Sequence, residues 1–248
     1  MNIKRALGLL AIVFVACAPL ARAQSAAGQP FVDHMQSWDQ RWRISDGWSN
    51  GSWTANDWRR RQIVFGRDGA VLTLEPRNGG EKRFSSGEMQ TNAVYQYGYF
   101  ETRLQAARGS GLVNGFFTYT RTGDKVTWDE VDIEIVGRDT RTAQLTYFHA
   151  GARRSQTVQL GFDASAAPHS YAFDWQADHI RWYVDGRMVH EETGDGLPIP
   201  NEPQRLFVHL WNTTELTDWL GPIQGQGPWV MRVSCVAQAA TYAGHTLC

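Results

Sequence analysis

An antiparallel all-β sandwich or barrel is the fold class that the sequence predicts, and three observations predict it. Several runs alternate apolar and polar residues with a period of two, as half-buried strands do. Asp-Gly pairs stand between such runs, where a two-residue hairpin turn needs residues that tolerate positive φ. No long amphipathic helical stretch, internal repeat or linker interrupts them, so the crossovers of a parallel sheet have nothing to form from. The 248 residues, 42% hydrophobic and 20% charged, suffice for one large all-β domain or two small ones. A formal net charge of −1 lacks the basic face that a nucleic-acid partner demands. Eleven Trp are an excess that serves core packing, ligand stacking or both.

The chain begins with a targeting pattern. Lys4 and Arg5 form a positive segment, Ala6 to Ala16 an apolar one too short to span a membrane, and Ala21-Arg22-Ala23 a small-x-small cleavage pattern. A signal peptide over 1–23 and a secreted or periplasmic protein are therefore expected, with no membrane partner. A rival reading takes Phe14 to Cys17, FVAC, as a lipoprotein box, although Phe14 fits its first position poorly. Residues 24–30 read as a flexible lead.

Strand signals follow in order. QIVFGRDGAVLTLEP, Gln62 to Pro76, places Asp68-Gly69 between two apolar runs, a hairpin signal. YGYFETRLQAA, Tyr97 to Ala107, alternates, and so does SYAFDWQA, Ser170 to Ala177. HIRWYVDGRMVHEE, His179 to Glu192, sets Asp185-Gly186 between two alternating strands, and RLFVHLWN, Arg205 to Asn212, reads as a buried strand. With Cys17 removed, Cys235 and Cys248 remain. In an oxidising compartment they predict a local disulfide that closes a short C-terminal loop.

WDEVDIEIVG, Trp128 to Gly137, raises the question of function. Val131, Ile133, Ile135 and Val136 suit a strand, and Glu130, Asp132 and Glu134 then share its other face. Alternating acids on a strand are commonly a solvated face, but a merely soluble face normally interleaves Lys or Arg, and here none is present. A hard-cation site is a second reading; calcium sites, however, draw oxygens from sharply turning loops rather than a straight strand. A third is glycoside hydrolysis, in which two carboxylates flank the scissile bond. Four residues of strand separate the Glu130 and Glu134 Cα atoms by roughly 13 Å, whereas retaining catalysis wants carboxyls about 5–5.5 Å apart. Two long Glu side chains leaning together on a concave strand close most of that gap, with the shorter Asp132 in support.

DEVDIEIVG resembles the E-x-D-x-E active-site strand of glycoside hydrolase family 16. The likeness is greatest to bacterial endo-β-1,3-1,4-glucanases (lichenases) and to endoglycanases of succinoglycan-type exopolysaccharides. SDGWSNG, SSGEMQT, YGYFETRL, GLVNGFFTYT, LGFDA, YAFDWQADHIRWYVDG and LWNTTELTDWLG resemble family segments in the same order. The likeness covers about Phe31 to Val236, giving a catalytic domain over 31–236 and a tail over 237–248. It implies a concanavalin-like jelly-roll sandwich of two antiparallel sheets with a concave substrate cleft. It further implies a retaining double displacement, with Glu130 as nucleophile, Glu134 as acid/base and Asp132 as assisting carboxylate. Asn50, Glu88, Gln90, Phe117, Tyr119, Trp128, Phe148, Trp211 and Asn212 match substrate-contacting positions. The implied partner is a polysaccharide, either β-1,3-1,4-glucan or a bacterial exopolysaccharide with β-glucosyl linkages, acted on by a monomer.

Departures from the family pattern bear on substrate choice. Trp48, Gln90, Thr146 and Phe148 stand where lichenases often place Tyr, Arg, Asn and Tyr. Asn56 and Ser86 occupy the positions of a family disulfide, and Ser234 that of an Asp that helps bind a structural calcium. No cofactor is therefore expected. A transglycosylase of the same family and a non-catalytic carbohydrate-binding protein are the rival functions. A serine or metal hydrolase has no G-x-S-x-G and no His-ligand spacing behind it; His149 falls near the cleft by position.

Overall fold

The computed structural model describes residues 28–77, 81–120 and 127–248; the expected signal peptide, the Cys17 reading and most of the lead lie outside them. Seven strands, numbered in chain order, make one sheet: β2 (Trp42–Ile44), β7 (Glu88–Thr91), β9 (Leu112–Tyr119), β10 (Glu130–Val136), β11 (Thr142–His149), β12 (Ala152–Gln159) and β16 (Arg205–Asn212). Their spatial order is β12-β11-β10-β9-β16-β7-β2. A second sheet holds β1 (Phe31–Asp33), β3 (Asn56–Trp58), β4 (Ile63–Gly66), β5 (Gly69–Pro76), β6 (Phe84–Ser86), β8 (Gly98–Gln105), β13 (His169–Trp175), β14 (Ile180–Val184), β15 (Arg187–Glu192) and β17 (Trp229–Ala239). Its main path is β15-β14-β13-β8-β17-β5-β6-β3, with β1 on β17 and β4 on β5. Every pairing is antiparallel except β3 with β6, which is parallel. The described helix is a single turn, α1 (Thr217–Leu220). The expected two-sheet sandwich is the fold.

Alternation explains how the layers close. Val131, Ile133 and Ile135 of β10 are buried between the sheets, leaving Glu130, Asp132 and Glu134 on the opposite face. Phe116 of β9 meets Phe173 of β13 at 5.7 Å, and Phe173 meets Phe100 of β8 at 5.2 Å. Trp182 of β14 spans the same interior: its indole Nε1 donates to the Asp132 carbonyl at 3.1 Å. Pinning the acid strand from below thus falls to a residue 50 positions away in sequence.

The hairpins carry one match and one correction. Val184 pairs with Arg187 around Asp185-Gly186, whose φ angles of 47° and 75° suit the expected two-residue turn. In the earlier hairpin Gly66 pairs with Gly69, so the central residues are Arg67 and Asp68, one position before the expected Asp68-Gly69. Gly69 serves packing instead: a Cβ there would stand 2.3 Å from the Val233 carbonyl oxygen of β17.

The expected boundary after residue 236 also shifts. Ala237, Gln238 and Ala239 remain in β17, paired to β8, and the first two also pair with β1. Beyond them the tail covers the outer face of the larger sheet, with Tyr242 4.3 Å from Tyr183 and 5.2 Å from Tyr99 between ring centroids. Cys235 and Cys248 form the expected disulfide, Cα atoms 5.7 Å apart. The hydroxyl of Ser234, the residue that stands where the resemblance expects an Asp, donates to the Arg103 carbonyl at 3.3 Å.

Candidate active site

Register arranges the side chains on the outer face of the smaller sheet in rows. The first row runs Arg153, Phe148, Glu130, Tyr119, Arg205 across β12, β11, β10, β9 and β16. The second runs Ser155, Thr146, Asp132, Phe117, Phe207, Gln90, Arg43. In the third, Gln144, Glu134, Gly115, His209 and Glu88 are neighbours. A cleft of about 850 Å³ lies on this face, lined by all three acids together with Asn50, Glu88, Gln90, Phe117, Tyr119, Trp128 and Trp211. Ten of the twelve expected catalytic and substrate-contacting residues therefore meet in one cavity.

The carboxylates are held in unlike environments. Trp128 Nε1 donates to Glu130 Oε2 at 2.6 Å, and Glu130 also shares a hydrogen bond with Asp132. Burial against the sheet raises the Glu130 pKa to about 7, with those two bonds opposing the rise. Glu134 is pushed up to about 8, by burial first and then by the negative charge of Glu130, while Arg153 pulls it down. Asp132 is driven well above the usual carboxylate range by burial and by its two acidic neighbours. An indole N–H thus favours the ionised form of Glu130, while the charge of Glu130 favours the protonated form of Glu134, the kind of division a two-carboxylate mechanism needs.

The same shifts predict stability against pH. A carboxyl whose pKa is raised on folding binds its proton more tightly folded than unfolded, so stability is greatest below about pH 4.5 and is lost as pH climbs through 7 and 8. Glu134→Gln removes one such titration. Its melting temperature is expected to exceed that of the parent at pH 8.5 and to approach it at pH 5. Parallel curves of melting temperature against pH would refute the assignment.

Around the acids the wall is aromatic. Trp128, 43% exposed, stacks on Phe148 with centroids 4.5 Å apart and planes 15° apart. Phe148 packs against Trp128 and is not among the residues lining the cavity. Trp48 and Trp53, also exposed, stand on the 47–55 segment, and Trp53 meets Trp211 edge-on at 5.2 Å. Glu88 is buried, accepts from Ser45 Oγ at 2.6 Å and lies 3.4 Å from His209 Nδ1. Asn50 Oδ1 accepts from the buried Trp58 indole at 2.9 Å.

One expected contact fails. Asn212 follows Trp211 in β16, so alternation turns its side chain into the interior, where it is fully buried, while its backbone N–H donates to Asn56 Oδ1. Five lining residues escaped the sequence reading: Arg43, Ser49, Trp53, Phe207 and His209. A period-two extension from Trp211 back along RLFVHLWN reaches His209 and Phe207, so that signal was present. His209 also explains Gly115. A Cβ on Gly115 would lie 2.4 Å from His209 Nε2, so the imidazole leans over the glycine into the gap beside Glu134. His149 sits at the rim, its Nδ1 3.3 Å from Asp129 Oδ1. Asp129 is buried and accepts from the amides of Ala150, Asn201 and Glu202, tying two loops beneath Trp128.

Residues 50–228 match the model of glycosyl hydrolases family 16. A β-glucanase of Bacillus subtilis is 38% identical over 210 residues, covering 84% of this chain and 85% of that protein. A β-glucanase of Acetivibrio thermocellus is 37% identical over 224 residues, and the match covers 89% of this chain and 66% of that protein. Among solved structures, the Bacillus licheniformis β-glucanase superposes with a TM-score of 0.80 at 34% identity, covering 86% of this chain and 98% of that one.

Proposed function

The chain belongs to family 16 of the glycosyl hydrolases, and from that premise we propose that it is a secreted, retaining endo-β-glucanase. It is a glycoside hydrolase of the endo-1,3-1,4-β-glucanase type; the retaining course, the residue roles and the natural glucan are the proposal. The observation that carries it is the row-by-row convergence of Glu130, Asp132 and Glu134 in a cleft walled by Trp48, Trp53, Trp128 and Trp211.

In this mechanism Glu130 attacks the anomeric carbon while Glu134 protonates the departing glycosidic oxygen. A glycosyl ester on Glu130 results. Glu134, now ionised, takes a proton from water, which opens the ester and restores both carboxyls. The Trp128 indole stabilises the ionised form of Glu130 before attack, since its N–H bonds to that carboxylate. Burial first, then the charges of Glu130 and Glu134, raise the Asp132 pKa well above the usual carboxylate range, which favours Asp132 as donor of the hydrogen bond it shares with Glu130. The aromatic wall supplies flat apolar faces for sugar rings, and an open cleft admits an extended chain for internal cleavage.

Substrate preference follows from the wall. Thr146 bonds to Ser155 at 2.9 Å and Phe148 is consumed by its stack on Trp128. Neither then presents a free polar group comparable to the Asn and Tyr that the family resemblance calls for at these positions. A site built without a donor discriminates weakly for the hydroxyl that donor would read. Activity on β-1,3-1,4-glucan is expected to be measurable but weak, with a β-glucosyl-containing bacterial exopolysaccharide preferred. The check is kcat/KM on barley β-glucan, laminarin, xyloglucan and succinoglycan, using protein recovered from the culture medium and sequenced from its N-terminus. A mature start at Gln24 supports secretion. Preference for laminarin or xyloglucan would assign the chain to another branch of the family, and binding without cleavage of all four would make it a carbohydrate-binding protein.

A further inference from the structure

Lys82 lies outside the cleft lining, on the connection between β5 and β6. Its ammonium nevertheless donates to three backbone carbonyls of one short segment: Gly51 at 2.6 Å, Ser52 at 3.3 Å and Thr54 at 2.5 Å. An ammonium has three N–H donors and no acceptor, so the group is satisfied by this segment alone. The same segment, between β2 and β3, carries Trp48, Ser49, Asn50 and Trp53 into the cleft.

The ends of that segment are tied by backbone bonds: Gly47 N to Trp58 O, Trp58 N to Trp48 O, and Ala55 N to Asn212 O. Its tip is held differently. Among the described residues, side chains hold it at several points: Trp58 Nε1 on Asn50, Thr213 Oγ1 on the Trp53 carbonyl, Thr54 Oγ1 on the Gly51 carbonyl, and Lys82 on three carbonyls at once. Three carbonyl oxygens turned toward one point repel each other unless a cation or donor sits between them. Gly51 makes the turn possible, with φ at 112°, but it does not compensate the converging dipoles. That compensation falls to the ammonium.

We propose that Lys82 is a positioning residue for the cleft: seated on the Gly51, Ser52 and Thr54 carbonyls, it fixes the segment that presents Trp48, Asn50 and Trp53 to substrate. The proposal rests on the cleft being the glucan-binding surface. Lys82 touches neither sugar nor acid, so its loss acts on binding. The tip of the segment turns its freed carbonyls to water and the two Trp faces lose their setting, while Glu130 and Glu134, held by β10, keep theirs.

Lys82→Met is expected to raise KM on barley β-glucan about tenfold with kcat within about twofold, the pattern of lost uniform binding. Lys82→Ala leaves an empty three-oxygen cradle, so methylammonium is expected to restore KM, whereas tetramethylammonium, which has no N–H donor, is not. A readout independent of hydrolysis is chymotryptic cleavage after Trp48 and Trp53, followed by mass spectrometry. It is expected to accelerate in both variants and to slow when methylammonium is added to Lys82→Ala. Unchanged cleavage, unchanged KM, or a fall in kcat and melting temperature with no response to methylammonium would each overturn the proposal. Should the unaltered protein cleave no glucan, the functional reading falls while proteolysis still decides the role of Lys82.

Discussion

Glu130→Ala is expected to lose at least about four orders of magnitude in kcat/KM, because a nucleophile that forms a covalent intermediate has no substitute in the cleft. Asp132 does not replace it. It stands one row away, and burial together with its acidic neighbours disfavours its ionised form. Binding of oligosaccharide is expected to survive, since Trp53, Trp128 and Trp211 are untouched; calorimetry on the variant measures it. Azide enters the space left by the carboxylate and attacks the anomeric carbon once, so rescue yields a glycosyl azide of inverted configuration. The proposed double displacement preserves configuration, so NMR of early products of the unaltered protein is expected to show the β-anomer first. Initial α-anomer would remove Glu130 from the nucleophile role.

For Glu134→Gln the expected loss is about 10²- to 10⁴-fold on polysaccharide, the usual worth of a positioned general acid. The loss is expected to shrink on an aryl β-glycoside whose leaving group needs no proton. The pH profile gives a second signature. The proposed mechanism requires Glu130 ionised and Glu134 protonated, groups pushed to about 7 and about 8, so kcat/KM is expected to follow a narrow bell whose limbs belong to the coupled acids jointly. Glutamine cannot ionise, and the alkaline limb is expected to disappear. A loss independent of leaving group, with the alkaline limb intact, would assign the proton to another residue.

Much of this site could be read before any fold was known, because its central strand signals locally. Val131, Ile133 and Ile135 alternate with Glu130, Asp132 and Glu134, and a period of two leaves no choice about which residues share a face. Asp185-Gly186 was equally legible, since both positions adopt the positive φ that its turn demands. Failures occurred where a residue answers to something distant. Gly69 reads as a central turn residue but stands just past the turn, where the β17 backbone passes over it and its own φ is 111°. The chain after Val236 looked like a tail, yet Ala237 to Ala239 stay in the ladder against β8. Asn212 was carried along with its neighbour Trp211, although strict alternation points it the opposite way.

The sequence by itself determined the all-β class, the acid strand and the Asp185-Gly186 turn. Each rests on residues within a few positions of one another, where strand geometry and turn chemistry act without help from the rest of the chain. Tertiary structure alone decided what those residues face. Register set Gly115 between Glu134 and His209, so that an imidazole fills the space a side chain would have taken. Packing of the two sheets brought Trp182 under Asp132 across 50 residues, and Lys82 onto carbonyls 28 to 31 residues before it. Contacts of that range depend on which strands pair and in what register. That choice is made by the burial of both inner faces together, and no single segment of the sequence contains it.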